Sequence, residues 1–232
     1  GEAQVVDASQ VVDSVRGLFA ALFRAFRFRS TVMTATLALL TSIGTGVLST
    51  VAAVFFTQHL GWSAESLAQV QGGPALVMGL CGSVGGGFLA DRFGARKMMA
   101  TGMLGLALLW TTFALLKPWW HLDAVPTGLL LLEPGFASLA IVSMFSLCMT
   151  VSWPKVAATQ FTAYMALLNL STTVGHAVAG PLDAVLDFDG LFFVGAAVQV
   201  VGAAVLLTID PGQTRRLLVA SEGSVASAPD IG

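Results

Sequence analysis

Six apolar stretches follow one another along the chain, separated only by short polar connections. They lie near residues 31–57, 67–90, 98–116, 126–152, 156–181 and 190–209. About 20 apolar residues are needed for a helix to cross the hydrocarbon of a bilayer. Because that hydrocarbon offers no partner to backbone N–H and C=O groups, each crossing must be helical or part of a closed barrel. The sequence therefore predicts an all-α membrane protein with six transmembrane helices.

The composition excludes an ordinary soluble domain. Hydrophobic residues make up 56% of the chain and charged residues 10%, whereas soluble domains have about 45–50% and about 25%. Cys81 and Cys148 both lie inside apolar stretches and are interpreted as small buried hydrophobic residues, without a disulfide.

The sequence contains no pattern typical of an enzyme. No His, Asp and Glu cluster has the spacing of metal ligands. Ser83 lacks the preceding glycine of a nucleophile elbow, and the glycine run at 85–87 lacks the Lys-Ser/Thr of a phosphate loop. We therefore expect no enzymatic activity, no metal or other cofactor and no nucleic acid partner.

Three regions are expected along the chain. Residues 1–28 form a connector, and within it residues 9–27 have the pattern of an amphipathic helix. This helix either lies in the membrane interface or merely leads into the first span. Residues 29–210 form the six-helix domain, and residues 211–232 form a polar, disordered tail. The chain starts with Gly1 rather than Met, which indicates a piece of a longer sequence.

The basic residues are distributed very unevenly between the two sides of the predicted membrane domain. Of 11 Lys and Arg, Lys117 alone falls on one side. The other side holds Arg16, Arg24, Arg27, Arg29, Arg92, Arg96, Lys97, Lys155, Arg215 and Arg216. Cytoplasmic loops carry the excess of Lys and Arg, so both termini are expected to be cytoplasmic.

The polar residues suggest an internal repeat. The first, fourth and fifth spans are polar, whereas the third and sixth are bland and are expected to face lipid. This alternation favours a 3+3 arrangement in which spans 1–3 are repeated as 4–6 with inverted topology.

Seven polar residues inside the spans are candidates for binding a substrate or a proton. Intramembrane acids are costly and mark functional sites by default. A histidine can titrate near neutral pH, although a lone histidine more often bonds to a neighbouring helix. Hydroxyl groups can face an aqueous cavity or bond to their own backbone, and a carboxylate near a span end can lie among headgroups. The candidates are Glu133, His176, Gln160, Asn169, Thr41, Thr45 and Ser49.

The second span combines small residues with a weak point. Gly79, Ser83 and Gly87 recur every four residues, which predicts close packing against another helix. The Gly72-Gly73-Pro74 run should weaken or bend the helix near its outer end.

The loop after the second span carries a recognisable pattern. It consists of Gly87, Asp91-Arg92, Gly94 and Arg96-Lys97, placed between two spans. The chain resembles the major facilitator superfamily in this motif, which implies a gating role. Asp91 would accept hydrogen bonds from a helix N-terminus, and Arg92 and Arg96 would bind carboxylates or lipid phosphate, so that the loop latches the outward-facing state.

A narrower resemblance covers residues 130–195. The residues that carry it are Leu132-Glu133, Leu147-Cys148, 157–161, Ala166-Leu167, Gly175, Gly180-Pro181, Asp189-Gly190 and Phe192-Phe193. They are similar to bacterial muropeptide permeases, acetyl-coenzyme A transporters and siderophore permeases. Pro134 and Thr172-Thr173 depart from that pattern, since Asn and a basic residue are usual there. The match implies a C-terminal half whose N-terminal six-span half is missing or separate.

Two functional hypotheses follow. The first is proton-coupled secondary transport of a small muropeptide-, siderophore- or acyl-coenzyme A-like solute in a bacterial inner membrane, with Glu133 as the first and His176 as the second proton carrier. The alternative is a non-transporting membrane scaffold or sensor that keeps the transporter fold.

Overall fold

The computed structural model describes residues 25–213, together with residues 17, 20, 23 and 216. In that part of the chain every regular element is helical. The six long helices are α1 (Arg29–His59), α2 (Ala64–Phe93), α3 (Ala95–Leu115), α4 (Ala124–Val151), α5 (Ala157–Asp183) and α6 (Phe188–Leu207). Each end lies within three residues of the predicted one. Most of the predicted connector helix and of the polar tail lies outside the described residues.

Five of the six helices are long and apolar enough to cross a membrane by length and composition alone. The sixth, α5, has 27 residues and at 1.5 Å per residue spans about 40 Å. It falls short only in hydropathy, because polar residues lie on both its buried and its exposed sides. The chain is therefore an integral membrane protein, and α5 is its most polar helix.

The packing of the helices follows a two-fold exchange. Helix α1 packs on α5 as α4 packs on α2, and α3 packs on α4 as α6 packs on α1, while α3 and α6 pack on each other. Exchanging the first three helices for the last three therefore reproduces the same set of neighbours. An odd number of helices per repeat reverses their direction, so the predicted 3+3 inverted repeat is confirmed.

Helices α3 and α6 form a backing layer behind α1 and α4. Both have one exposed apolar face, as at Leu108 and Leu207. Their other faces are buried, and they are more buried than α2, the most exposed of the five apolar helices. Each of these two helices thus has one exposed apolar face and one buried face, and the expectation that they face lipid stays a prediction.

Three helix crossings depend on glycine. A Cβ atom added to Gly102 of α3 would lie 2.7 Å from the backbone nitrogen of Ala140 on α4. A Cβ atom added to Gly175 of α5 would lie 2.9 Å from the Cα of Gly46 on α1. A Cβ added to Gly82 of α2 would lie 2.9 Å from the Cα of Gly135 on α4, and closer still to its carbonyl oxygen. Helix α2 therefore does pack closely on another helix through small residues, as predicted, but the residue that most requires glycine is Gly82, one turn from Gly79.

Both α1 and α2 are irregular. In α2 a π-helical turn covers Gln71–Ala75, as expected from a proline that cannot donate an N–H inside a helix. In α1 the first segment ends at Thr41 and the next begins at Ile43. A second π-helical turn covers Phe55–His59. Neither irregularity of α1 follows from the sequence pattern.

The loops divide the molecule into a basic and an acidic end. The helix direction places Arg29, the α2–α3 loop and Lys155 at the basic end. There Arg96 donates from Nη2 to the carbonyl oxygen of Leu207, 2.6 Å away. That carbonyl lies at the C-terminus of α6, where a cation is favourable.

At the acidic end Lys117 joins the α3–α4 connection to the start of α6. Its Nζ lies 2.5 Å from Asp189 and 3.4 Å from Asp187. The hydrogen bond to Asp189 is the main reason that the pKa of Lys117 is raised above 10.5. A raised lysine pKa means that this contact stabilises the fold below pH 10.5 and is lost as the pH rises through the higher folded-state value.

The glycine crossings allow a stability test. Replacing Gly82 with Ala should destabilise the protein by about 1–3 kcal/mol, because the added methyl group collides with backbone atoms of α4. Gly85 lies one turn further along α2 and has open space around it, so Gly85→Ala should be neutral or stabilising by up to about 1 kcal/mol. Thermal unfolding in detergent measures both, and equal effects would contradict the crossing.

Candidate functional site

A groove runs between α1 and α4, and α3 and α6 form its floor. Towards the acidic end it contains a cavity of about 180 Å³ whose polar lining is Ser49, Gln71 and Glu133. Nearer the middle lies a second cavity of about 250 Å³. The polar residues of this second cavity are Thr41, Ser42, Thr45, Ser138 and Gln199. We call both cavities together the α1–α4 groove.

Glu133 is the acidic residue of this groove. It lies nine residues after Ala124, which places it about 13 Å into the helix from the acidic end. It also lines an open groove between α2 and α4, with Gln71, Ser83 and Ser138. Among the described residues it forms no salt bridge. The carboxylate therefore faces the α1–α4 groove without a cation beside it.

The neighbours of Glu133 leave hydrogen-bonding capacity unused. The buried indole N–H of Trp110 approaches the carboxylate, yet no acceptor in the described part of the chain completes a hydrogen bond to it. Pro134 has no N–H, so the carbonyl of Leu130, which lines the same cavity, lacks its usual intrahelical donor. The Glu133 carboxylate thus has unused hydrogen-bonding groups near it, in a cavity whose other lining residues are mostly apolar.

Helix α5 packs on α1 and has an exposed side that carries polar residues. Its exposed residues include Thr162, Asn169, Thr173 and His176. The Nδ1 atom of His176 lies 2.7 Å from the hydroxyl oxygen of Thr50 on α1, which also lies 2.8 Å from the carbonyl oxygen of Gly46. Polar side chains within membrane spans usually face protein or a water-filled cavity, and the exposed polar residues of α5 are expected to do so.

Three hydroxyl groups of α1 bond to their own helix backbone and also line a cavity. Thr41, Thr45 and Ser49 donate to the carbonyl oxygens of Leu37, Ser42 and Gly46 at 2.6, 3.0 and 3.1 Å. All three also line the α1–α4 groove. Their hydrogens bond to the helix, and their lone pairs remain available to the cavity.

Gln160 does not line the groove, and both polar atoms of its side chain are hydrogen-bonded within the protein. It is completely buried and accepts from the N–H of Trp153 at 3.0 Å. Its Nε2 donates to the hydroxyls of Thr31 and Tyr164 at 3.2 and 2.9 Å. These bonds join the α4–α5 connection to α1, which is a structural arrangement.

The interruption of α1 at Ser42 is the feature that sequence analysis missed. The N–H of Ser42 donates to the hydroxyl of Ser171 on α5 at 3.0 Å. The carbonyl of Thr41 accepts from Nε2 of Gln199 on α6 at 3.2 Å. Backbone groups released within the membrane must find such partners. A lone Gln in an otherwise bland sixth span was the available signal.

The gating-motif residues lie at the basic end. Gly94, with φ of 94°, is the single residue between α2 and α3, a conformation that favours glycine. Asp91 and Lys97 are exposed and unpaired among the described residues. The Arg92 guanidinium lies 5.7 Å from the ring centre of Phe93. Gly87 has only ordinary van der Waals distance to Val142 of α4.

Six helices in two inverted repeats around a polar groove are typical of one half of a secondary transporter. The family model of the Major Facilitator Superfamily matches residues 34–229. That range is most of the chain, which therefore belongs to the major facilitator superfamily.

One curated relative is described as "Probable anion transporter 2, chloroplastic", from Oryza sativa subsp. japonica. It is 33% identical over 135 residues, which are 58% of this chain and 22% of the relative. The chain thus spans about a fifth of the length of the relative that it matches.

The groove should be accessible to water, whereas the exposed face of α2 is apolar. In a Cys81→Ala background, Ser49→Cys in the groove and Asn169→Cys on the exposed side of α5 should react with a membrane-impermeant methanethiosulfonate, because polar exposed positions require solvent. Val84 is 76% exposed among apolar residues, so Val84→Cys should remain unlabelled. Equal labelling of Val84→Cys and Ser49→Cys would contradict an aqueous groove.

Proposed function

We propose that this chain is the C-terminal six-span half of a secondary active transporter that works by alternating access. A small polar or amphiphilic solute binds in the α1–α4 groove, opposite a second six-span half in the same or a separate chain. The observation that carries this proposal is Glu133, an acidic residue placed in the groove without a cation. The polar, exposed face of α5 supports it, since such a face in a membrane needs a partner or water.

Proton coupling is the proposed energy source. A carboxylate in a low-dielectric cavity is costly when charged, and taking up a proton removes that cost. Glu133 would bind one proton on the side of the membrane with the lower pH and release it on the other side after the transporter has reoriented. His176 is the second candidate, and its contact with Thr50 couples α5 to α1.

The solute is proposed to belong to the muropeptide, siderophore or acyl-coenzyme A classes. The name of the rice relative refers to an anion. No Lys or Arg lies in the middle of any of the six helices, and Thr172-Thr173 stands where related permeases carry a base. An anionic solute would therefore need its positive partner from the opposite half. Asn169, Thr41, Thr45 and Ser49 remain as neutral hydrogen-bonding groups.

The location is proposed from the charges. The excess of Lys and Arg at one end favours a cytoplasmic position for that end, in a bacterial inner membrane, with both termini on that side. The exposed Asp91 at this end is suited to cap the N-terminus of a helix in the opposite half, and Arg92 and Lys97 are suited to bind carboxylates or lipid phosphate there.

Glu133 provides the direct test of coupling. Glu133→Gln in the full-length transporter should abolish uptake driven by a proton gradient, because the amide keeps the shape but cannot carry a proton. The measurement is uptake of radiolabelled muropeptide, siderophore and acyl-coenzyme A solutes in proteoliposomes with an imposed pH difference.

Glu65 supplies the matched control. It is exposed near the acidic end and accepts from Gln69 at 3.2 Å, so Glu65→Gln should leave coupled uptake unchanged. If uptake driven by a pH difference survives in Glu133→Gln, Glu133 is not part of the mechanism.

The latch at the basic end is tested separately. Asp91→Asn should shift the full-length transporter away from the outward-facing state, because a neutral amide caps a helix N-terminus less well than a carboxylate. Inter-half distances from spin labels report the change, with Asp123→Asn at the opposite end as control. An unaltered distance distribution in Asp91→Asn would refute the latch.

A further inference from the structure

Two threonine hydroxyls present hydrogen-bond acceptors to the middle cavity of the α1–α4 groove, which the hydroxyls of Ser42 and Ser138 also line. The hydroxyl hydrogens of Thr41 and Thr45 are already donated to the carbonyl oxygens of Leu37 and Ser42. A hydroxyl whose hydrogen is engaged offers only its lone pairs. These two residues line the cavity and can therefore bind only a donor or a cation.

Gln199 gives the strongest indication. It is 1% exposed and lines the same cavity, and its Oε1 has no hydrogen-bond partner in the described part of the chain. Its Nε2 faces the carbonyl oxygen of Thr41. Because a carbonyl can only accept, this contact determines which end of the amide is the oxygen. A buried acceptor without a partner is unfavourable, so the cavity is incomplete without an occupant.

No fixed positive side chain opposes a cation at this position, because no Lys, Arg or His lines the cavity. The first segment of α1, Arg29–Thr41, ends at the cavity, and the next segment, Ile43–Val54, begins there. The partial negative charge of the first helix end is therefore offset by the partial positive charge of the second, so the binding oxygens, rather than the helix dipoles, are what attract a cation. Ends of interrupted helices bind cations in other transporter folds.

We propose that this cavity binds a monovalent cation, held by the free Oε1 of Gln199 and by the hydroxyl oxygens of Thr41 and Thr45. The cation is either an inorganic ion such as Na⁺ or the ammonium group of a solute, since both seek several oxygen acceptors. A divalent ion is disfavoured because Ca²⁺ and Mg²⁺ sites include carboxylates, and none lines this cavity. The proposal goes beyond proton coupling at Glu133 and concerns binding, so it stands or falls without a transport assay.

The test measures the thermal unfolding midpoint of the full-length protein in detergent, at constant ionic strength. Choline chloride is the reference, and NaCl, KCl or methylammonium chloride replaces it. A ligand at about 100 times its dissociation constant should raise the midpoint by roughly 5 °C. A rise in NaCl or KCl alone identifies an inorganic ion, and a rise in methylammonium alone identifies an ammonium group. Equal midpoints in all four salts would overturn the proposal.

Variants connect the rise to the cavity. Gln199→Met should lose the cation-dependent rise. Gln160→Met is the matched control, because Gln160 is equally buried but has all its polar atoms bonded elsewhere. That control should unfold at a lower temperature yet keep the rise.

A more conservative variant keeps the proposal testable even if Gln199→Met does not fold. Thr45→Val keeps the size of the side chain but removes one oxygen, and it should weaken the apparent cation affinity about ten-fold. A full rise in Gln199→Met, or an unchanged affinity in Thr45→Val, would refute the site.

Discussion

Close contact between helix backbones, at two glycine pairs and at Gly102 of α3 against Ala140 of α4, is the constraint on which the remaining structure depends. Lipid is as apolar as a leucine side chain, so helices in a membrane associate through packing rather than through the hydrophobic effect. Gly46 against Gly175 holds α5 on α1, and Gly82 against Gly135 holds α2 on α4. The two contacts correspond under the exchange of the repeats, and they leave α1 and α4 free to form the two walls of the groove.

A second constraint is that polar groups need partners in the membrane, and the chain meets it in different ways. Gln160 is satisfied entirely by protein groups and stabilises the α4–α5 connection. The interrupted backbone of α1 is satisfied by Ser171 and Gln199. Glu133, by contrast, faces the groove without a cation, as a functional group must if it is to exchange a ligand or proton.

The sequence predicted more about position along the membrane normal than about orientation around each helix. Span boundaries follow from hydropathy, and the π-helical turn of α2 follows from Pro74. The four-residue spacing of Gly79, Ser83 and Gly87 indicated a packing stripe, but it could not show that Gly82 makes the closest contact. Likewise, Gln160 was expected with the site residues because a sequence gives a residue's depth, whereas its partners depend on the rotation of neighbouring helices.

The amino-acid sequence by itself determined the six spans, their 3+3 order and the separation of a basic from an acidic end. These properties follow from local hydropathy and charge, which the bilayer sorts residue by residue. Only the tertiary structure decided that α1 is interrupted at Ser42, that Gln199 reaches this interruption, and that Glu133 and Ser49 line one cavity. Each of these depends on contacts between helices far apart in the chain, and in a membrane such contacts depend on the detailed shapes of the packed helix surfaces rather than on their hydrophobicity.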